Sequence, residues 1–431
     1  MSSDLRTRYF GALLVWLLLL ACGAPKFHFK LAQLHAPNAT DSEREKFKQD
    51  LVQNTILKNL STELTSENES RWQAAFWGME ISLHQSDSAL HSLKRAFSRF
   101  PERTPAFQRA LLEAVYCLYP NEFFREIFQV AQETASPKLF AMAIHYLNRL
   151  MPERQHEFQK LLENRFPEWQ FQPILFMLHD DLKAAQQPLP PVVDLLKHPF
   201  ATGKTIIYCF QRRDRKYPGL TVIKRPDGKF VRTQDGDIFH ISHLARAIAN
   251  LPGYITNGNT PQGIFSIQGI DVSSNVFIGQ TPNLQLVMPH EVSIQKFFHN
   301  AKFADTIWTE DHYRRLLPES WRSYLPIYEA YYAGKAGRTE IIAHGTTIDP
   351  EFYAAQPYYP NTPSLGCLTA KELWSGKDGK CLISDQLRFI QAFRSAGSKE
   401  GFLVVVELDD KRQPVVLDEV IVELLKSQGE W

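Results

Sequence analysis

A short segment near the middle of the chain, Gln187-Pro188-Leu189-Pro190-Pro191, limits what it can fold into more than any other feature. Pro188, Pro190 and Pro191 each fix φ and remove a backbone donor, so neither a helix nor a central strand runs through them. The hydrophobic period differs on the two sides. From Arg71 to about Ala185 it is helical, with Leu90, Leu93, Phe97 and Phe100, and again Leu139, Ala143, Leu147 and Leu150, each set on one face. Beyond the prolines come short β-branched and aromatic runs: Thr205 to Phe210, Leu220 to Ile223, Phe265 to Ile270, Val276 to Gly279, Leu284 to Met288, Thr339 to Ala343 and Phe402 to Leu408. Helices are expected among them at His290 to His299, Asp311 to Leu316, Ser323 to Tyr332 and Ser384 to Ala396. The expected fold is therefore multi-domain. An all-α, helical-repeat-like region (69–186) and a Pro-rich linker (187–202) precede a β-rich barrel or sandwich with a few helices (203–431).

The helical region carries an internal offset. Thr104-Pro105 and Ser136-Pro137 each read as an N-cap followed by proline, 32 positions apart (104 to 136), and Pro120 and Pro152 repeat that offset (120 to 152). Such a period suits stacked helical hairpins, a surface for a protein partner. Trp72 and Trp77 are expected to pack between helices. Ahead of this region, 22–68 reads as a polar spacer with one helix from Glu43 to Leu60. The first 21 residues read as a signal peptide: Arg6 and Arg8, an apolar run from Gly11 to Leu20, then Leu19-Leu20-Ala21-Cys22-Gly23. Cys22 stands where a lipid anchor would be attached, with plain signal cleavage the alternative; the chain is expected in the periplasm or cell envelope, held to a membrane only through that anchor. The formal net charge of +1 offers no electrostatic case for nucleic acid.

The chemistry concentrates late in the chain. Cys367 lies in Pro363-Ser364-Leu365-Gly366-Cys367-Leu368, and His344 in Ile342-Ala343-His344-Gly345-Thr346. A thiol is a poor nucleophile until a base takes its proton, and an imidazole held beside it does so. Backbone amides at Gly366 and Cys367 are the natural oxyanion donors, with Ser364 and Gly345 shaping the turns. Cys117 reads as a buried thiol, and Cys209 either does the same or pairs with Cys381. An activated Cys367 is expected to alkylate at mildly acidic pH, far faster than Cys117. His240 and His243, with Asp235 and Asp237, are a weak metal candidate without a third ligand at the right spacing. No metal or cofactor is expected.

These residues resemble the L,D-transpeptidases of bacterial cell walls, the YkuD-like family, whose core motif is a histidine followed at a distance by Ser/Thr-x-Gly-Cys and an aliphatic residue. Here those positions are His344, Ser364, Gly366, Cys367 and Leu368. A second family element, Thr-Pro-x-Gly-x-Phe, matches Thr260-Pro261-Gln262-Gly263-Ile264-Phe265. The resemblance starts at about Lys204. Leu365 stands where histidine is frequent, Thr369 and Ala370 where an arginine is common, and the stretch from Phe265 to His344 is long enough for an inserted helical cap. The resemblance implies a peptidoglycan stem tetrapeptide as donor, a thioester on Cys367, release of D-alanine and transfer to an amine, with Thr260, Phe265, Tyr254 and Tyr353 as groove residues. It also implies acylation by carbapenems. Two other readings stay open: a carboxypeptidase or amidase that hydrolyses the same thioester, and a non-catalytic peptidoglycan-binding scaffold.

Overall fold

A computed structural model describes residues 29–183, 187–397 and 399–430. The signal peptide and Cys22 lie outside the described residues. The helical half comprises Glu69–Ser82, Asp87–Phe97, Pro105–Leu118, Phe124–Glu133, Pro137–Leu150, Gln155–Arg165 and Pro173–Asp181. The 32-residue offset is visible in three dimensions. Pro105–Leu118 and Pro137–Leu150 are both 14 residues long, and each starts with proline behind a capping hydroxyl. Thr104 accepts from Phe107 N and Ser136 from Leu139 N. These caps satisfy amides that a helix start leaves free.

The strands are β1 (Thr205–Gln211), β2 (Gly219–Lys224), β3 (His240–His243), β4 (Gly263–Asp271), β5 (Asn283–Val287), β6 (Ile342–His344), β7 (Leu368–Thr369), β8 (Glu372–Trp374), β9 (Cys381–Ser384) and β10 (Gly401–Glu407). Eight of them form one sheet in the order β3-β2-β1-β10-β4-β5-β6-β7, and β8 pairs with β9 separately. The two edges of the sheet meet. Leu244, just after β3, exchanges both backbone bonds with Thr369 of β7 at 2.9 Å. The sheet thereby becomes a nearly closed barrel, and its edge strands are protected. β1 is buried along its whole length because both of its faces are covered. The helix Asp385–Ser395 lies against the sheet, with Phe389 edge-on to His243 and Gln386 Nε2 donating to the carbonyls of Pro282 and Ala343.

Several expectations change. Residues 29–68 are not a free spacer. Ala36 N and Asp41 N donate to Gly379 O and Gly376 O at 2.8 Å, and Phe47 meets Phe277. The Pro-rich linker holds a short helix, Val192–Lys197, whose Leu195 and Leu196 are fully buried. The two halves share one continuous hydrophobic core. Val276 to Gly279 is a turn, because Asn275 captures the amides of Phe277, Ile278 and Gly279. The long segment between β5 and β6 carries the short helices Ile294–Phe297, Glu310–Arg314 and Glu329–Lys335. Cys117, Cys209, Cys367 and Cys381 are all free. His240 is exposed while His243 is buried against Thr221 Oγ1 at 2.8 Å, so the two do not converge on a metal. Among the described residues no three His, Cys, Asp or Glu side chains come together as a metal site.

Candidate active site

β6 and β7 run parallel, with Ala343 opposite Leu368 and His344 opposite Thr369. Cys367 immediately precedes β7. Residues two apart along a strand share a face, so Cys367 lies on the face of Thr369, which is also that of its partner His344. The two side chains are thus diagonal neighbours, a relation that spans about 7 Å between β-carbons. Both line one groove of about 620 Å³.

The imidazole is held in one tautomer. His344 Nδ1–H donates to the carbonyl of Gly345, which leaves the Nε2 lone pair as the base. Gly345 is required by close packing, since a β-carbon there would lie 2.1 Å from Glu372 Oε2, which accepts the Thr346 amide. Burial lowers His344 to about 4. Burial also raises the Cys367 thiol, while the Ile342 amide and the Arg338 guanidinium act against that rise. The resting pair is therefore neutral thiol and neutral imidazole, which reverses the expectation of a thiolate in mild acid. Cys367 Sγ–H donates to Glu340 O at 3.5 Å.

The turn before Cys367 is built from its own residues. Ser364 Oγ donates to Cys367 O at 3.0 Å and accepts from Gly366 N at 3.1 Å. The Gly366 amide is thus engaged within the turn, so the Cys367 amide is the better-placed oxyanion donor. Gly366 has φ +115°, and a β-carbon there would lie 2.0 Å from Arg338 Nη2 and 2.3 Å from Gly258 O. Glycine is required on both counts. Thr260 Oγ1 donates to Gly366 O at 2.8 Å, so the Thr-Pro element braces the nucleophile turn.

The other proposed groove residues do not line the groove. Tyr254 is buried at the seam between the halves, where it accepts from His145 Nε2 at 2.6 Å and donates to Asp181 at 2.7 Å. Phe265 is wholly buried in the core. Tyr353 is also buried, with its hydroxyl on Ile81 O at 2.8 Å. Aromatic side chains beside a site more often fill the core than face the substrate.

The expectation that Trp77 packs between helices changes, and Arg338 escaped the sequence reading. Trp77 and Ile81 of Glu69–Ser82 line the groove, and Trp77 meets Phe277 at 5.8 Å between ring centres. The helical half is thus one wall of the site. Arg338, 5% exposed, also lines it and donates to the carbonyls of Gly253, Asn259 and Gly258. It brings a buried cation to the nucleophile turn, whereas the positions after the cysteine hold Thr369 and Ala370. Backbone-carbonyl partners leave no signature in a sequence.

Comparisons with protein-family models, curated proteins and solved structures return no match. The resemblance to L,D-transpeptidases rests on the motif residues alone.

Proposed function

We propose that this chain is a cysteine acyltransferase of the L,D-transpeptidase type, acting on peptidoglycan stem peptides. The observation that supports the reading best is the β6–β7 register, which puts Cys367 and the free Nε2 of His344 on one face of one groove. His344 Nε2 takes the thiol proton as Sγ attacks the carbonyl of the third stem residue. The oxyanion is stabilised by the Cys367 amide. Collapse expels the terminal D-alanine, whose amine takes the proton from His344, and leaves a thioester. An amine from a second stem attacks the thioester, its proton passes to His344, and the thiol is restored. No step calls for a metal.

The test is incubation of the chain from Ala24 onward, with Cys367→Ala as control, with disaccharide-tetrapeptide muropeptides, read by mass spectrometry. A Cys367-dependent dimer lacking one alanine is the expected product. Disaccharide-tripeptide alone would replace transfer by hydrolysis, and no product would leave the scaffold reading.

A further inference from the structure

A second cavity, of about 350 Å³, lies at the seam between the helical half and the barrel. It shares a wall with the catalytic groove: Arg338 lines the groove, and Gly253, whose carbonyl it binds, lines the cavity.

Three residues lining this cavity each carry a buried polar atom without a partner. On the barrel side Arg215, 2% exposed, gives Nε and Nη2 to Glu407 Oε1 at 3.1 and 2.8 Å, and its Nη1 has no partner. Gln262, 1% exposed, accepts the Glu407 amide on Oε1 at 2.7 Å, and its Nε2 has no partner at hydrogen-bond geometry. On the helical side Asn148 buries an Oδ1 that is likewise unpartnered. On the same side of the cavity Asp181 uses Oδ2 for the Tyr254 hydroxyl. A buried polar group left without a partner destabilises the fold.

The arrangement is polarised. The barrel offers spare donors and the helical half offers acceptors, one of them the carboxyl of Asp181, which burial raises to about 8, so a bound ammonium would draw it into its charged form. A guanidinium with a neighbouring amide N–H₂ suits a carboxylate, and a carboxylate with an amide oxygen suits an ammonium. Burial, and after it the charge of Glu407, raise Glu329, another lining residue, to about 7. A water molecule answers the hydrogen bonds but brings no charge.

We infer that this cavity is a binding site for a small α-amino acid, its carboxylate on Arg215 Nη1 and Gln262 Nε2 and its ammonium on Asp181 and Asn148 Oδ1. Such a ligand joins the two halves of the chain, and it needs nothing from Cys367.

The experiment is isothermal titration of the chain from Ala24 onward with glycine and with alanine of either configuration, and with acetate and methylamine as half-ligands. Asp181→Asn keeps the acceptor for Tyr254 but loses the charge. Asn148→Leu fills the space without breaking a hydrogen bond. Thermal melts establish that both variants fold. The expected result is one-to-one binding of at least one amino acid, weaker binding of both half-ligands, and a dissociation constant raised about tenfold or more in each variant, with Cys367→Ala unchanged. No saturable binding of any amino acid at millimolar concentration overturns the inference. So does an unchanged dissociation constant in both variants. Because Cys367→Ala is expected to bind normally, failure here and failure of the acyltransfer reading are separable.

Discussion

The ionisation of Cys367 gives the sharpest test of the site. Burial raises its thiol above the ordinary value of 9.0 and lowers His344 to about 4. At pH 7 a thiol with a pKa of 9 is about 1% thiolate, and a higher pKa leaves less. Alkylation by iodoacetamide, with the modified residue mapped by mass spectrometry, is therefore expected to rise about tenfold per pH unit through neutrality. No plateau is expected between pH 5 and 8. Cys117 and Cys381, both raised to about 12 by burial, stay slower throughout. The Arg338 charge opposes the rise. The carbonyls that already solvate the guanidinium reduce its effect. Arg338→Gln is expected to slow alkylation at fixed pH by about tenfold, and Arg338→Lys by much less. A reactivity plateau with an inflection below pH 7 would reveal a preformed thiolate–imidazolium pair and refute the neutral-pair argument. An unmoved profile in Arg338→Gln would refute the role of the charge.

Four further outcomes are expected. Gly366→Ala puts a β-carbon on Arg338 and Gly258 at φ +115°, so it should abolish Cys367 labelling and lower unfolding stability by on the order of 2–3 kcal/mol, read by denaturant titration. Tyr254→Phe removes the hydroxyl between His145 and Asp181 and should cost about 1–3 kcal/mol in the same titration without changing Cys367 labelling. Trp77→Ala opens the helical wall of the groove and should raise the KM for a muropeptide about tenfold with kcat little changed, by steady-state kinetics. His344 is lowered from 6.5 to about 4, so its contribution to stability is full above pH 6.5 and drains as pH falls toward 4, by up to about 3 kcal/mol; His344→Gln, compared at pH 7 and pH 4, should lack that loss.

How much of this was legible in the sequence follows from what each residue contacts. Strand positions announced themselves because β1, β4 and β10 are buried and carry β-branched or aromatic residues in short runs. The 104–118 and 136–150 segments were legible because proline behind a hydroxyl is a local signal. Cys367, His344 and Thr260 stood out by spacing. Arg338 did not, since the carbonyls it binds belong to a loop about 80 positions earlier and any residue supplies a carbonyl. Phe47 and the helix around it read as spacer because a polar amphipathic helix looks the same whether its apolar stripe meets solvent or its own protein. Tyr254 and Tyr353 were misplaced because a buried aromatic and a groove aromatic share one letter.

The site is assembled from both halves of the chain through the loop after β3. Ile248 N donates to Ser364 O at 2.9 Å, and Ile248 O accepts from Cys117 Sγ of the helical half at 3.4 Å. Asn257, in the left-handed region at φ +60°, donates to Glu113, and Thr256 accepts from Lys138 Nζ at 2.7 Å. The same loop supplies the Arg338 acceptors and ends at Thr260, which holds Gly366 O. Backbone that the helical half clamps on one side therefore braces the nucleophile turn on the other. Cutting the chain at the prolines would remove Trp77 from the groove and the partners of Asn257 and Thr256 together. It would also expose apolar surface that is now core. A partner protein at the helices would have to use a face away from the barrel, because the face toward it already walls the groove of Cys367 and His344.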